Sequence, residues 1–563
     1  MNDIKKYIAE SIYEVLKNDD VLLDEILNFL EEPKDSNNGD IAYPCFRLSK
    51  KLKDTPVNIA NKIMNLLSFD ERILKVDNVN GYLNFYINNN LFVKDILNNI
   101  VNLNFKFDKN NINKNVVLEY SSPNIAKPFH LGHFRTTIIG RALYNIYKEL
   151  GYNVTNINHL GDWGRQFGLL IEGYRRYKDN YDVNNLSIND LQDIYVKINS
   201  DAKDDENVFE IARDNFKKLE DGDTNLLATW QYFKDISMKE YKKIYDLLDC
   251  KFDSYNGESF YKDKMGEVVE LLDKKGVLVT SNGARVVMMG KNLPPCIIIK
   301  SNGSTIYATR DLATVLYRTR TYDYYRSIYV TSYEQSDYFK QIFEVSKYLV
   351  DKKYCDGLVH VPYGMVRLKD GKMSSREGTV VYLEDLINSS IEKSKNIIIS
   401  KNSNISDIEK SSKQIGIGAL IFNDLKHNKM KDIVFDLDEV LRFDGETGPY
   451  VQYTYARINS ILSKEIIVDE DFNYKYNDDE INLIKLLSNY EKIINEAAQN
   501  YEPSILTRYI INIASSFSTY YNKTQILVDD KDTKCARLLL IKSISIILKK
   551  GLNLLGIQVL DKM

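Results

Sequence analysis

At 563 residues the chain is too long for one ordinary core, because domains usually run to about 100 to 200 residues, and two to four folded units are expected. Hydrophobic residues make up 44% and charged residues 27%, which argues against a disordered, fibrous or membrane protein, and no run of about 18 apolar residues occurs. Lysine plus arginine (75) nearly balances aspartate plus glutamate (79); that total neither supports nor excludes a nucleic-acid partner, since phosphate is held by a local basic face.

The opening MNDIKKYIAESIYEVL keeps helical spacing through Ile4, Tyr7, Ile8, Ile12, Val15 and Leu16 rather than the pattern of a signal peptide, so a cytosolic protein is expected. After a second helical run from Val57 to Leu67, DERILKVDNVNGYLNFYI alternates around Asn80-Gly81 and predicts strand, turn and strand. Residues 1–109 therefore read as an α+β unit. Next, VVLEY predicts a short strand, PFHLGHFRTTIIGRALYNIYKEL a long helix stopped by Gly151, and NVTNINH a second strand. Such a βαβ unit builds a parallel sheet that takes ligands at the C-terminal ends of its strands. Polar, acidic helical text at about 181–252 predicts an insertion, and GARVVMMG, CIIIK, SIYVTS and LVHVPYG predict further strands of the same sheet, within a domain spanning 110–385. Beyond it the pattern is helical, as a connective region over 386–445 and a bundle over 446–563. The fold class expected is α/β multidomain: a Rossmann-like parallel-sheet domain with an N-terminal α+β domain and a C-terminal α-helical bundle. Cys45, Cys250, Cys296, Cys355 and Cys535 are scattered without a CxxC pair and read as buried or incidental thiols.

The stretch richest in chemistry is SSPNIAKPFHLGH, Ser121 to His133. Two histidines three apart at a helix start share a face with free backbone N–H groups and the positive dipole end, which suits a polyphosphate. Gly132 between them has no side chain, which lets a ligand ring or ribose pack directly on the helix backbone. Two alternatives stand beside this reading: a purely structural pair capped by backbone, and an HxxH metal pair completed by His159 or Asp162. A second stretch, MVRLKDGKMSSREGTVVYLEDL, places Lys369, Lys372 and Arg376 in a Gly-flanked loop, where cations can meet charge developing on a leaving pyrophosphate. Alone, that loop reads as a solvated turn.

An HxGH helix start followed some 240 residues later by a KMSxx loop resembles the class I aminoacyl-tRNA synthetases. SSPNIAKPFHLGHFRTTIIG, NHLGDWGRQFG, YATRDLA, GKMSSREG, GPYVQYTYARI and GLNLLGIQVLDKM, in that order, resemble the arginyl-tRNA synthetases, and NNGDIAYPCFRL with NGYLNFYI is similar to that family's N-terminal tRNA-binding domain. The resemblance implies ligation of L-arginine to tRNA(Arg) through an arginyl-adenylate, using ATP and Mg²⁺ bound with its phosphates, by positioning and charge stabilisation rather than covalent catalysis. It implies His130 and His133 as the catalytic phosphate pair, with Gly132, Met373 and Ser374 also at ATP. Lys372 fills the first KMSKS position, whereas Ser375 and Arg376 replace the last Lys-Ser, and Lys127 is expected to compensate. Glu119, Asn124, Tyr307, Asp311 and Gln335 are implied at arginine, in keeping with a guanidinium's need for carboxylates and acceptors; helix capping is the alternative for Asp311. Where the family usually carries His before Phe, this chain has Tyr338-Phe339. Tyr450, Gln452, Tyr453, Arg457, Tyr521 and Asn522 are implied at tRNA, with stacking on unstacked bases, and the region 386–445 at the tRNA stem. Neither DNA nor a membrane is expected as a partner, and the family's usual state is a monomer. The rivals are another HxGH nucleotidyltransferase working without RNA, which needs no helical C-terminal third, and a catalytically dead tRNA-binding module, which predicts a broken His motif or acid pair.

Overall fold

The computed structural model describes residues 2–562 except 20, 34, 36, 37, 291, 292, 369–381, 402–406 and 466–471. They form two compact units: one of residues 1–106, 458–492 and 512–547, the other of 107–457, 493–511 and 548–563.

In the first unit the helix Asn2–Leu16 buries Ile8, Ile12 and Leu16 completely against a three-stranded antiparallel sheet. Its strands are β1 (Ile41–Pro44), β2 (Ile73–Val79) and β3 (Tyr82–Ile87), in the order β1-β3-β2. The turn between β2 and β3 is the one expected at Asn80-Gly81: both residues have positive φ, 52° and 85°, as a tight hairpin of two right-twisted strands requires. The helix Asp478–Leu487 belongs here too, and its buried Glu480 accepts hydrogen bonds from the hydroxyls of Tyr474 and Tyr520.

The second unit is built on β4 (Asn115–Glu119), the crossover helix Leu131–Glu149 and β5 (Asn153–Ile157). Gly151, at φ +86°, ends that helix as expected. Val116, Val117 and Leu118 are fully buried, as expected of a parallel strand covered on both faces. The insertion forms three helices, Ile188–Asp204, Asn207–Glu220 and Thr224–Leu247. Here one expectation is corrected. GARVVMMG and CIIIK do not join the parallel sheet: β6 (Leu278–Ser281), β7 (Ala284–Val287) and β8 (Cys296–Ile299) make a separate antiparallel sheet. The cause is the Asn282-Gly283 pair, with φ 49° and 76°, which folds β6 back on β7.

The parallel sheet is completed by β9 (Arg326–Ser332) and β10 (Leu358–Tyr363) in the order β10-β9-β4-β5. The connection from β4 runs to β5 on one side and that from β9 runs to β10 on the other, so the crevice outside the ends of β4 and β9 is a topological switch point, where such sheets bind ligands. Past β10, β11 (Val366–Leu368) pairs in parallel with β12 (Ile433–Phe435), a strand that the helical pattern beyond 386 concealed because it is three residues long. The helices Leu383–Lys401, Ile408–Leu425 and Gly448–Leu462 follow. Among the described residues no helix is long and apolar enough to cross a membrane. Cys45, Cys250, Cys296 and Cys535 are buried free thiols, Cys355 a partly buried one.

Candidate active site

The loop from Tyr120 to Phe129 leaves β4 in a conformation few side chains adopt: Ser121, Ser122 and Ala126 have φ of 69°, 45° and 61°. Neighbours hold it there. Ser121 Oγ meets the Tyr245 hydroxyl at 2.8 Å, the Ala126 N–H donates to Ser237 Oγ, and the Tyr241 hydroxyl lies 2.7 Å from the carbonyls of both Asn124 and Lys127. All three partners stand at four-residue spacing on one face of the insertion helix Thr224–Leu247. Sequence reasoning missed this role; its trace is a Ser and two Tyr recurring on an otherwise apolar stripe.

The loop delivers His130 to the N-cap of the crossover helix. Its Nδ1 accepts from the Gly132 N–H at 3.1 Å, and His133 Nδ1 accepts from the His130 N–H at 3.4 Å. The rings stack with centroids 3.7 Å apart. An imidazole whose Nδ1 accepts carries its proton on Nε2 when neutral, so both rings offer Nε2–H. Burial, and then the Lys127 charge, pushes the His130 pKa down to about 4; burial, His130 and Lys127 lower that of His133. Backbone capping and phosphate binding are thus compatible uses of different ring atoms. Gly132 also leaves room for the His130 ring, since a Cβ there would stand 3.0 Å from it and the ring would have to shift. Lys127 is partly buried and also lies 5.6 Å from the Tyr195 ring centroid.

A second cluster sits at the ends of β4 and β9. Glu119 closes β4 and is paired with the fully buried Arg318, whose Nη2 donates to its Oε2. Asp311 accepts a hydrogen bond from the Tyr338 hydroxyl. Burial raises the Asp311 pKa, opposed by His159 and the Tyr338 hydrogen bond and assisted by Glu119. Capping does not explain Asp311, because Ile306 occupies the N-cap of its helix, Tyr307–Tyr322. Tyr307 is 57% exposed at the first turn, its ring centroid 5.2 Å from that of Tyr338. Gln335 is exposed just beyond β9. Asn124 is exposed on the loop, with its side chain over Gly161, where a Cβ would meet Asn124 Oδ1 at 2.1 Å. Beside this cluster Glu258 pairs with Arg310 at 2.9 Å; burial, offset in part by Arg310, raises its pKa to about 7.

The fold thus gathers Lys127, His130 and His133 on one loop and helix start, and Glu119, Asp311 and Tyr307 around Tyr338 and Arg318. Lys372, Met373 and Ser374 lie outside the described residues. Of the two third ligands that the metal alternative names, Asp162 is committed to protein donors, whereas His159 has a buried Nδ1 without a hydrogen-bond partner. Asp162 is fully buried and accepts from the Ser259 N–H, the Ser259 hydroxyl and Lys234 Nζ, while His159 stacks on Tyr261 at 5.5 Å. Trp163 is a core residue, 2% exposed against Trp230.

Residues 93–437 match the family model described as tRNA synthetases class I (R), catalytic domain, residues 451–563 the DALR anticodon binding domain, and residues 2–87 the arginyl tRNA synthetase N terminal domain. Arginine–tRNA ligases of Clostridium kluyveri and Clostridium botulinum (strain Loch Maree) are 48% and 46% identical, each over the full length of both chains. The chain belongs to the arginyl-tRNA synthetase family. Among solved structures, arginyl-tRNA synthetase from Plasmodium falciparum superposes with TM-score 0.81 at 25% identity, covering 99% of each chain. That from Thermus thermophilus shares the fold, with TM-score 0.83 at 23% identity over 99% of this chain and 100% of the other.

Of the residues implied at tRNA, one is corrected. Gln452 is fully buried, its amide donating to the carbonyls of Gln414 and Gln558, so it ties its helix to the helix Ile408–Leu425 and to the C-terminal tail and is closed to a base. Tyr450, Tyr453 and Arg457 on the same helix are partly exposed, and Arg457 donates to the Tyr453 hydroxyl at 3.1 Å. Tyr521 and Asn522 lie in the other compact unit, partly exposed and exposed.

Proposed function

We propose that this arginine–tRNA ligase forms arginyl-adenylate at the switch point between β4 and β9 and transfers the arginyl group there to the terminal adenosine of tRNA(Arg). The observation that carries the reading is the charge of the cluster: Glu119 is paired with Arg318 and Glu258 with Arg310, while Asp311, held by the Tyr338 hydroxyl, is in no ion pair among the described residues. One negative charge is left for a guest. Asp311, whose pKa is raised by burial, is the group that an arriving guanidinium would relieve. Lysine would bring the charge without the planar fork, and glutamine the shape without the charge. Tyr307, Gln335 and Asn124, exposed around the cluster, are assigned to the rest of the amino acid.

The paired Nε2–H groups at the N-terminus of the crossover helix fit a triphosphate, being preorganised donors beside a positive dipole end. Mg²⁺ would enter with ATP, keeping few protein ligands, and would help neutralise the leaving pyrophosphate. The protein's own part is to fix the arginine carboxylate against the α-phosphate and to donate hydrogen bonds to the departing charge from His130 and His133, with Lys127 adding charge. Tyr450, Tyr453, Arg457, Tyr521 and Asn522 are assigned to tRNA.

The test is amino-acid-dependent ATP–pyrophosphate exchange, run with and without tRNA(Arg). Arginine should support exchange, with tRNA present as this family commonly requires. Exchange with lysine or glutamine and none with arginine would overturn the assignment. Lys127→Ala should slow exchange more than Lys372→Ala; equal or reversed losses would remove the compensating role of Lys127.

A further inference from the structure

Five residues into the motif that begins at His130 stands an arginine with no exposed surface. Arg135 Nη1 donates to the carbonyls of Gly364 and Met365 at 2.7 and 3.1 Å, and its Nη2 donates to those of Lys429 and Lys431 at 3.2 and 2.9 Å. Its Nε lies 3.4 Å from Asp424, a buried carboxylate on the helix Ile408–Leu425. A buried charge is expensive unless well partnered, and the forked guanidinium is the side chain able to bind four carbonyls on two chains at once.

Those two chains matter by where they lead. Residues 364–365 join β10 to β11, which runs directly into the segment bearing Lys372; residues 429–431 lead into β12, the partner of β11. They are drawn together further by the Gly364 N–H donating to the Lys429 carbonyl at 2.8 Å and the Met365 N–H to Asp432 at 2.8 Å. The other flank of the segment is tied to the same place: the Leu383 N–H donates to the Phe129 carbonyl, and Tyr382 bridges to His130. Both flanks of the stretch that carries Lys372 are therefore anchored on the His-motif helix or the residues just before it.

We propose that Arg135 is a positioning residue for adenylate formation: its clamp fixes the two chains that lead into β11 and β12 to the helix that presents His130 and His133, and so holds that helix start in place for the triphosphate. This rests on the triphosphate reading above. It also gives Gly364 a purpose. A Cβ there would come within 2.6 Å of the Met430 carbonyl and 2.8 Å of Lys431 backbone, so Gly364→Ala would wedge apart the two chains that Arg135 joins while leaving the guanidinium in place.

The experiment measures ATP–pyrophosphate exchange at saturating tRNA for the full-length protein and the variants Arg135→Lys, Gly364→Ala and the double variant, with folding checked by circular dichroism and thermal unfolding. Lysine keeps the charge beside Asp424 but cannot span four carbonyls. Each single variant should lower kcat by about 100-fold, the scale of an ångström-level misplacement, and raise KM for ATP while KM for arginine stays unchanged. The double variant should fall far short of the product of the two, because both act on one junction. Full kcat in a folded variant, a parallel rise in the arginine KM, or multiplicative losses in the double variant would overturn the proposal. If Arg135→Lys does not fold, Gly364→Ala decides by the same split. Absence of arginine-dependent exchange in the unsubstituted protein would instead overturn the reading of the site, and the inference with it.

Discussion

The two imidazoles divide their nitrogens between structure and chemistry: Nδ1 accepts from the helix start, and Nε2–H is left to donate. Losing such a preorganised donor costs about 100-fold or more in rate, so His133→Ala should slow single-turnover adenylate formation by that factor; a burst of unchanged rate would contradict the assignment. Asp424 supplies a prediction in pH. Burial raises its pKa from 3.8 to about 6, against the pull of Arg135, so the folded protein binds this proton more tightly than the unfolded chain. Its contribution to stability is therefore greatest at the acid end and is lost as pH rises through about 4 to 6. Relative to Asp424→Asn, the unmodified protein should lose up to about 3 kcal/mol across that interval; unfolding midpoints that move in parallel from pH 4 to 7 would refute it. The His pair was legible in sequence because its geometry is local, three residues on one helix turn. The environment of Glu119 was not, because its partner Arg318 lies 199 residues away. Asp311 was legible as an acid but not as the acceptor of Tyr338, which stands on a different helix.

At the scale of elements, the insertion helix Thr224–Leu247 is a buttress for the loop that presents the histidines. Tyr241→Phe removes the hydroxyl lying 2.7 Å from the Asn124 and Lys127 carbonyls, an uncompensated loss worth about 1–3 kcal/mol. The variant should melt at lower temperature and also lose exchange activity, since the positive φ angles of Ser121 and Ala126 are held from this side; a stability loss with full activity would show that the loop keeps its shape unaided. The crossover helix approaches β4 closely enough that a Cβ on Gly140 would lie 2.1 Å from the Tyr120 ring. Gly140→Ala should therefore destabilise by about 1–3 kcal/mol or more, read as a fall in the unfolding midpoint. Periodicity made the βαβ unit and the insertion helices readable. It could not say which sheet β7 and β8 would join, although Asn282-Gly283 carried the hairpin signal, and it passed over the three-residue β12.

At the scale of the molecule, the C-terminal residues are structural partners of the catalytic core. Within one compact unit Arg141 and Asn145 of the crossover helix donate to the carbonyls of Gly556 and of Asn553 and Leu554, the Tyr147 hydroxyl donates to the Ala498 carbonyl, and Lys550 pairs with Glu149 at 2.8 Å. A chain ending at residue 445 should consequently aggregate or unfold without cooperativity and support no exchange; a soluble, cooperatively folding truncation with arginine-dependent exchange would show the core to be autonomous. Sequence by itself determined what depends on near neighbours along the chain: the strand, helix and strand of the βαβ unit, the hairpin at Asn80-Gly81, the His turn, and the motif order that marks the family. Tertiary structure alone decided what depends on distant parts of the chain meeting: Gln452 buried beneath its neighbours, Arg318 neutralising Glu119, and Arg135 gripping four carbonyls from two connecting segments. The reason is that a buried polar group is defined by its partners, and those partners are chosen by how the elements pack.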